Sequence, residues 1–262
     1  MHNKFLEAQR WYEAMGVDYF LKLPATTALQ AESTTCLKIK QAELKDCAPI
    51  IPQESIADDI NVAITLADSV NSLAELRAEL EKFDLCDLKL GAKNLVFSDG
   101  VSSAKIMLIG EAPGANEDEQ GIPFCGASGK LLDNMLSSIG LQRKTNCYIT
   151  NTVFWRPPDN RQPTLREVNI CRPFLEKHIA LIKPEFIILI GAVATASIFG
   201  TQVQISKMRG QIHQYSNKYI QNITTAVIFH PAYLMRQPLK KKLAWFDLLH
   251  LQKILQERHI LN

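Results

Sequence analysis

No CxxC pair occurs among the six cysteines of this 262-residue chain, which are scattered at 36, 47, 86, 125, 147 and 171. A disulfide framework does not fit a chain this long without a secretion signal. No apolar run approaches the length of a membrane span. The first residues carry Glu7 and Glu13 and lack an apolar signal core, which speaks against secretion and against an acid-poor transit peptide. A cytoplasmic protein without a membrane partner is expected. The dinucleotide pattern GxGxxG and the nucleophile elbow GxSxG are both missing. Gly126-Ala127-Ser128-Gly129-Lys130 looks like a P-loop but fails, with Phe124 where glycine is required and Leu131 where serine or threonine is required. The six histidines, at 2, 178, 213, 230, 250 and 259, lack zinc-type spacing with cysteine or carboxylate.

What is present is ordinary globular composition, 47% hydrophobic and 21% charged. The net charge of +2 hides an asymmetry. Residues 1–95 hold 10 Lys and Arg against 15 Asp and Glu, and residues 96–262 hold 19 against 12. A polyanionic partner suits the basic part, although a mildly basic surface explains the same numbers.

Residues 2–22 form an amphipathic pattern with Phe5, Leu6, Trp11, Tyr12, Met15, Tyr19 and Phe20 on its apolar side. Residues 24–68, rich in small and polar residues and poor in aromatics, read as a disordered linker. Residues 1–68 are therefore set apart from a folded domain over 69–262, and the first helix is read as a docking element for an unknown protein. Beyond Ser69, helix and strand patterns alternate. Short strands are expected at 106–109, 147–150, 186–190 and 225–229. Helices are expected from the capping box at Ser72–Glu75, over 126–139, from the capping box at Thr164–Glu167, over 192–199 and over 239–255. This alternation predicts right-handed crossovers and a parallel sheet covered on both faces.

Ligands bind beyond the carboxyl ends of such strands. The residues that follow them are Gly110-Glu111-Ala112-Pro113-Gly114, then Asn151, then Gly191-Ala192, then His230-Pro231-Ala232-Tyr233. One carboxylate, one amide and one imidazole thus converge on one edge.

These segments, together with Glu117-Asp118, Gly121-Ile122-Pro123-Phe124-Cys125-Gly126, Tyr148-Ile149-Thr150-Asn151, Arg156-Pro157-Pro158-Asp159-Asn160-Arg161, Lys207-Met208-Arg209-Gly210 and His230 to Arg236, resemble the motifs of the family 4 uracil-DNA glycosylases. The resemblance runs from about Leu73 to Leu255. It implies an α/β/α sandwich around a central four-stranded parallel sheet, acting as a monomer on uracil-containing DNA in base excision repair. The alternative is a non-catalytic relative that binds uracil-containing or single-stranded DNA.

The family also carries a [4Fe–4S] cluster on four cysteines, and this sequence departs from it. The family's positions fall on Phe83, Cys86, Trp155 and Cys171. Two thiolates are missing, so no cluster and no other cofactor is expected. Cys36 and Cys47, in the linker, stay open as substitute ligands, although their spacing does not fit.

The resemblance assigns roles on the remaining positions. Glu111 would position or deprotonate the attacking water, and His230 would donate to uracil O2. Asn151 would read O4 and N3–H, Phe124 would stack on the base, and the peptide groups of Gly110, Ala112 and Gly114 would add hydrogen bonds. Ser128, Gly129, Lys207 and Arg209 would contact phosphates, and Leu234, Met235 and Arg236 would enter the DNA where the base has left. Each has a plainer explanation: helix-dipole pairing for Glu111, a strand-end turn for Asn151, core packing for Phe124 and His230, solvated charge for the loop cations.

Overall fold

The structure, a computed structural model, describes residues 53–200 and 203–261. The chain divides at Ile56, and the fold described here is that of Ala57–Asn262. The helix expected over 2–22 and the linker over 24–52 lie outside the described residues. Residues 53–68 do not behave as a linker. Helix α1 spans Gln53–Ser69, and its Ala63 and Ala67 are fully buried. Asp59 pairs with Arg166, and Asp68 accepts from the Lys218 ammonium. Small apolar residues hid this helix, because alanine packs closely against a neighbour without supplying a strong apolar stripe.

Helix α2 (Leu73–Lys82) opens as the capping signal predicts. The Ser72 hydroxyl accepts from Glu75 N–H, while the Glu75 carboxylate accepts from Asn71 N–H. A short α3 follows at Leu88–Gly91. The sheet then begins with β1 (Asp99–Gly100) and β2 (Ile106–Gly110), with α4 at Ala115–Gln120 and α5 at Ala127–Ser137. Next come β3 (Cys147–Asn151), α6 (Leu165–Ile182), β4 (Phe186–Ile190) and α7 (Ala192–Phe199). The chain closes with α8 (Ile205–Met208), β5 (Ile212–Tyr215), β6 (Ile223–Ile228), α9 (Pro231–Arg236) and α10 (Lys241–Glu257). At α6 the capping box is complete, with Thr164 accepting from Glu167 N–H and the Glu167 carboxylate accepting from Thr164 N–H.

The sheet has six strands in the order β1-β3-β2-β4-β6-β5. Its inner four, β3-β2-β4-β6, are parallel and are the strands expected from sequence. The two edge strands, β1 and β5, pair antiparallel and extend the expected four-stranded sheet. They are short and polar, with two and four residues, and so carry no buried apolar run to mark them. Every residue of β2, β3, β4 and β6 is buried, as a sheet covered by helices on both faces requires. No described helix is long and apolar enough to cross a membrane.

Candidate active site

Register brings the strand ends together. Gly110, at the end of β2, pairs with Asn151, at the end of β3. Gly191 N–H, just past β4, donates to Ile228 O at the end of β6. The residues that follow open onto a cleft of about 600 Å³, lined among others by Glu111, Ala112, Gly114, Phe124, Ser128, Asn151 and His230. Acid, amide, imidazole and aromatic ring, spread over 120 positions of sequence, thus share one cavity.

Asn151 is 1% exposed, and its amide oxygen has no hydrogen-bond partner within the protein. Leaving a buried acceptor unmet costs about 1–3 kcal/mol. A β-carbon on Gly110 would lie 2.4 Å from that oxygen and 2.5 Å from the Phe124 ring. Glycine at 110 is therefore what allows amide and ring to close on the same floor.

Phe124 adopts a left-handed backbone conformation, with φ of 52°. Such a conformation in a bulky residue is strained and persists only where its surroundings enforce it. Arg143 does this by donating to Phe124 O and Pro123 O while held by Asp99 and Asp133. Gly129 contributes by having no side chain, since a β-carbon there would meet Phe124 O at 1.8 Å. The Phe124 ring sits 5.8 Å from the His230 ring.

His230 caps α9, with Ala232 N–H donating to its Nδ1 at 3.1 Å. Burial, reinforced by Arg236, holds its pKa down at about 4. The ring is neutral at pH 7, and with Nδ1 accepting, its proton sits on Nε2. Gly191 again makes room, because a β-carbon there would lie 2.9 Å from His230 Cβ. Glu111 has its pKa raised by burial, with the positive charge of Arg236 opposing the rise. Thr152 anchors the strand ends beneath it, its hydroxyl donating to Glu111 O at 2.6 Å and its N–H to Gly110 O at 2.9 Å.

Glu117, at the start of α4, holds the loop in place. Its carboxylate accepts from Gly114 N–H and from Gly126 N–H, tying the loop after β2 to the start of α5. Asn160, Arg161, Gln162 and Tyr233 also line the cleft. The Arg156–Arg161 segment was visible as a motif, but its place at the rim was not, because nothing local says where a long β3–α6 connection folds back.

The structure sorts the expected DNA contacts. Leu234 is fully buried and is not presented at the surface, whereas Met235 is 48% exposed and Arg236 lines the cleft. Arg209 holds Asp247 through two hydrogen bonds and stacks on Phe229 at 5.0 Å, so its charge is committed within the fold. Gly129 is buried beneath Phe124 rather than presented to a phosphate. Lys207 is exposed and Ser128 half-buried.

The iron–sulfur positions lie together in the core. Phe83, Cys86, Trp155 and Cys171 are each no more than 3% exposed. Cys86 Sγ and Cys171 Sγ are 3.9 Å apart, and the Phe83 ring meets the Phe174 ring edge-on at 4.9 Å. Cys171 holds its proton, its pKa raised by the Cys86 sulfur and by burial. Two thiols in a core where Phe83 and Trp155 take the other two positions do not fit a cluster that needs four. Among the described residues no group of three or more His, Cys, Asp or Glu stands close enough to hold a metal ion.

The architecture and the cleft define a protein of the α/β class whose parallel strand ends carry a buried amide, an aromatic ring and an imidazole into one cavity. Comparison with known proteins makes this specific. Residues 97–250 match the family described as the Uracil DNA glycosylase superfamily, and the chain belongs to it. It is 37% identical over 173 residues to the Type-4 uracil-DNA glycosylase of Archaeoglobus fulgidus, covering 64% of this chain and 86% of that protein. Against the Type-4 uracil-DNA glycosylase of Thermotoga maritima it is 39% identical over 167 residues, covering 63% and 84%. The corresponding enzyme of Pyrobaculum aerophilum is 37% identical over 183 residues, covering 66% and 92%.

Proposed function

We propose that the protein hydrolyses the N-glycosidic bond of deoxyuridine flipped out of DNA, leaving an abasic site. The observation that carries this reading is the unpartnered amide oxygen of Asn151 on the floor of the cleft. Uracil offers that oxygen its N3–H, and its O4 accepts from the same amide's N–H. Cytosine reverses both, so one fixed amide separates the two bases.

The other residues then take roles their surroundings support. Phe124, braced in its strained conformation, stacks on the base. His230, neutral with its proton on Nε2, donates to O2 as the N1–C1′ electron pair moves onto the departing uracil. A neutral donor in a desolvated site strengthens its hydrogen bond as negative charge develops. Water adds at C1′, and Glu111 accepts its proton, a role suited by the raised pKa that burial gives the carboxyl. Met235, Arg236, Lys207 and Ser128 are assigned to the DNA.

The same reading holds that the enzyme works without iron. Phe83 and Trp155 fill with apolar packing the space that two thiolates would occupy, so the core is held by burial instead of by metal. The glycosylase fold is taken to include α1, beginning near Ala57.

An oligonucleotide with a single deoxyuridine, incubated with the protein and then heated in alkali, should break at that position. No breakage above a His230→Ala control overturns the catalytic reading and leaves a DNA-binding relative.

A further inference from the structure

A guanidinium carries five N–H donors in one rigid plane. At Arg143 all five are used. Nε and Nη2 donate to Asp133 Oδ1 at 2.9 and 2.8 Å, and Nη1 donates to Asp99 Oδ2 at 2.8 Å. The two hydrogens that remain go to main chain, from Nη1 to Pro123 O at 3.1 Å and from Nη2 to Phe124 O at 2.9 Å. Arg143 is not one of the residues that line the cleft, whereas Phe124 is. We propose that Arg143 is a positioning residue for uracil excision, acting on the flipped base through Phe124. This rests on the glycosylase reading above and names a residue outside the cleft on which the same site depends.

The two carboxylates come from separate elements. Asp133 stands on α5, and Asp99 stands on β1, the two-residue edge strand. There Gly100 N–H donates to Asp99 Oδ1 at 2.8 Å, which leaves Oδ2 for the guanidinium. Gly100 takes a φ of 106°, and a β-carbon on it would meet Cys147 O at 2.2 Å, so the corner that presents Asp99 needs glycine. The guanidinium is thus fixed from two sides before it reaches the loop. Its side chain is 15% exposed, so both ion pairs are partly shielded from water. A lysine has one ammonium with three donors and cannot span these four acceptors.

What the clamp holds is a backbone that phenylalanine would otherwise leave. Phe124 has a φ of 52°, and a bulky residue stays in that region only under constraint. The backbone angle sets where the β-carbon points and therefore where the ring lies. In this conformation the ring packs on Gly110 and stands 5.8 Å from the His230 ring. Released from Arg143, the residue relaxes toward negative φ and the ring swings away from the plane in which it meets a base. A misplacement of about 1 Å, caused at a distance from the chemistry, costs about a hundredfold in rate.

The test is a double-mutant cycle on a uracil-bearing oligonucleotide, read with enzyme in excess over DNA. Arg143→Lys is made in wild type and in Phe124→Ala, and a thermal melt checks that each protein is folded. The expected result is a loss of about tenfold or more from Arg143→Lys alone, and a change of less than about twofold when Phe124→Ala is already present. A residue that only supports the fold would lower the rate by the same factor in both backgrounds, so losses that multiply overturn the positioning role. An Arg143→Lys protein as active as wild type overturns it as well. Should Arg143→Lys not fold, Asp133→Asn, which leaves Arg143 and Asp99 in place, carries the same cycle. A loss of about threefold or more is then expected in wild type and none in Phe124→Ala, and equal losses again overturn the proposal. A wild type that excises uracil while the losses multiply sinks the positioning role alone. If the wild type excises none, the glycosylase reading itself falls and the positioning role with it.

Discussion

A single added carbon should be enough to close the cleft. Gly110→Ala would place its β-carbon against both Asn151 Oδ1 and the Phe124 ring, so uracil excision should fall at least about a hundredfold, with a loss of stability of about 1–3 kcal/mol from the overpacking. His230→Ala removes the donor to O2, and a loss of about 10²–10³ in kcat is expected, of the size seen when one donor to a developing oxyanion is lost. Both are read from initial rates on a uracil oligonucleotide. The histidines also set the acid limit of the fold. His178, fully buried, has its pKa held down at about 3 by burial, and its Nε2 lies 2.7 Å from the Tyr148 hydroxyl. His230 stands at about 4. Both are neutral in the native state, whereas the unfolded chain takes up protons below its ordinary value near 6.5. Stability is therefore fully present above that value and declines as pH falls toward the folded values. Between pH 6.5 and 5 the decline is about 2 kcal/mol for each ring. Denaturant melts at the two pH values check the sign and size, and an unchanged midpoint at pH 5 would contradict it.

Among the elements, α1 separates two accounts of the chain. If residues 53–68 were linker, Ala67→Asp would be harmless. With Ala67 fully buried, the substitution places an unpaired charge in the core, and a loss of about 3 kcal/mol or more is expected in a denaturant melt. The strand ends show a similar dependence on context. Glu111 and Asn151 are neighbours because β2 and β3 pair in a register that sets Gly110 opposite Asn151. The loop after β2 is then fixed by Glu117, whose carboxylate bridges Gly114 and Gly126.

For the molecule as a whole, the exchange of two thiolates for aromatic rings predicts a protein that folds without iron. Purified without oxygen it should be colourless, and metal analysis should find no stoichiometric iron. A brown preparation would mean that cysteines outside the described residues had completed a ligand set. Stability should likewise be indifferent to iron chelators, because Phe83, Trp155 and their neighbours belong to one continuous apolar core.

The strand-helix alternation, the four parallel strands and the residues that follow them were legible in the amino-acid order. Apolar runs, capping boxes and stop glycines are local signals, and Thr164 with Glu167 caps α6 in the structure as it does on the page. Local patterning also marked Glu111, Asn151 and His230, since topology alone sends strand ends to one edge. Burial and partnership were decided only by folding. Leu234 and Leu239 are both leucines a few residues past His230, yet one is core and the other is exposed. Arg209 and Arg236 carry the same charge, but one is spent on Asp247 and the other faces the cleft. Such differences depend on which distant element arrives beside a residue, and pairing at long range leaves no mark in the few residues around it.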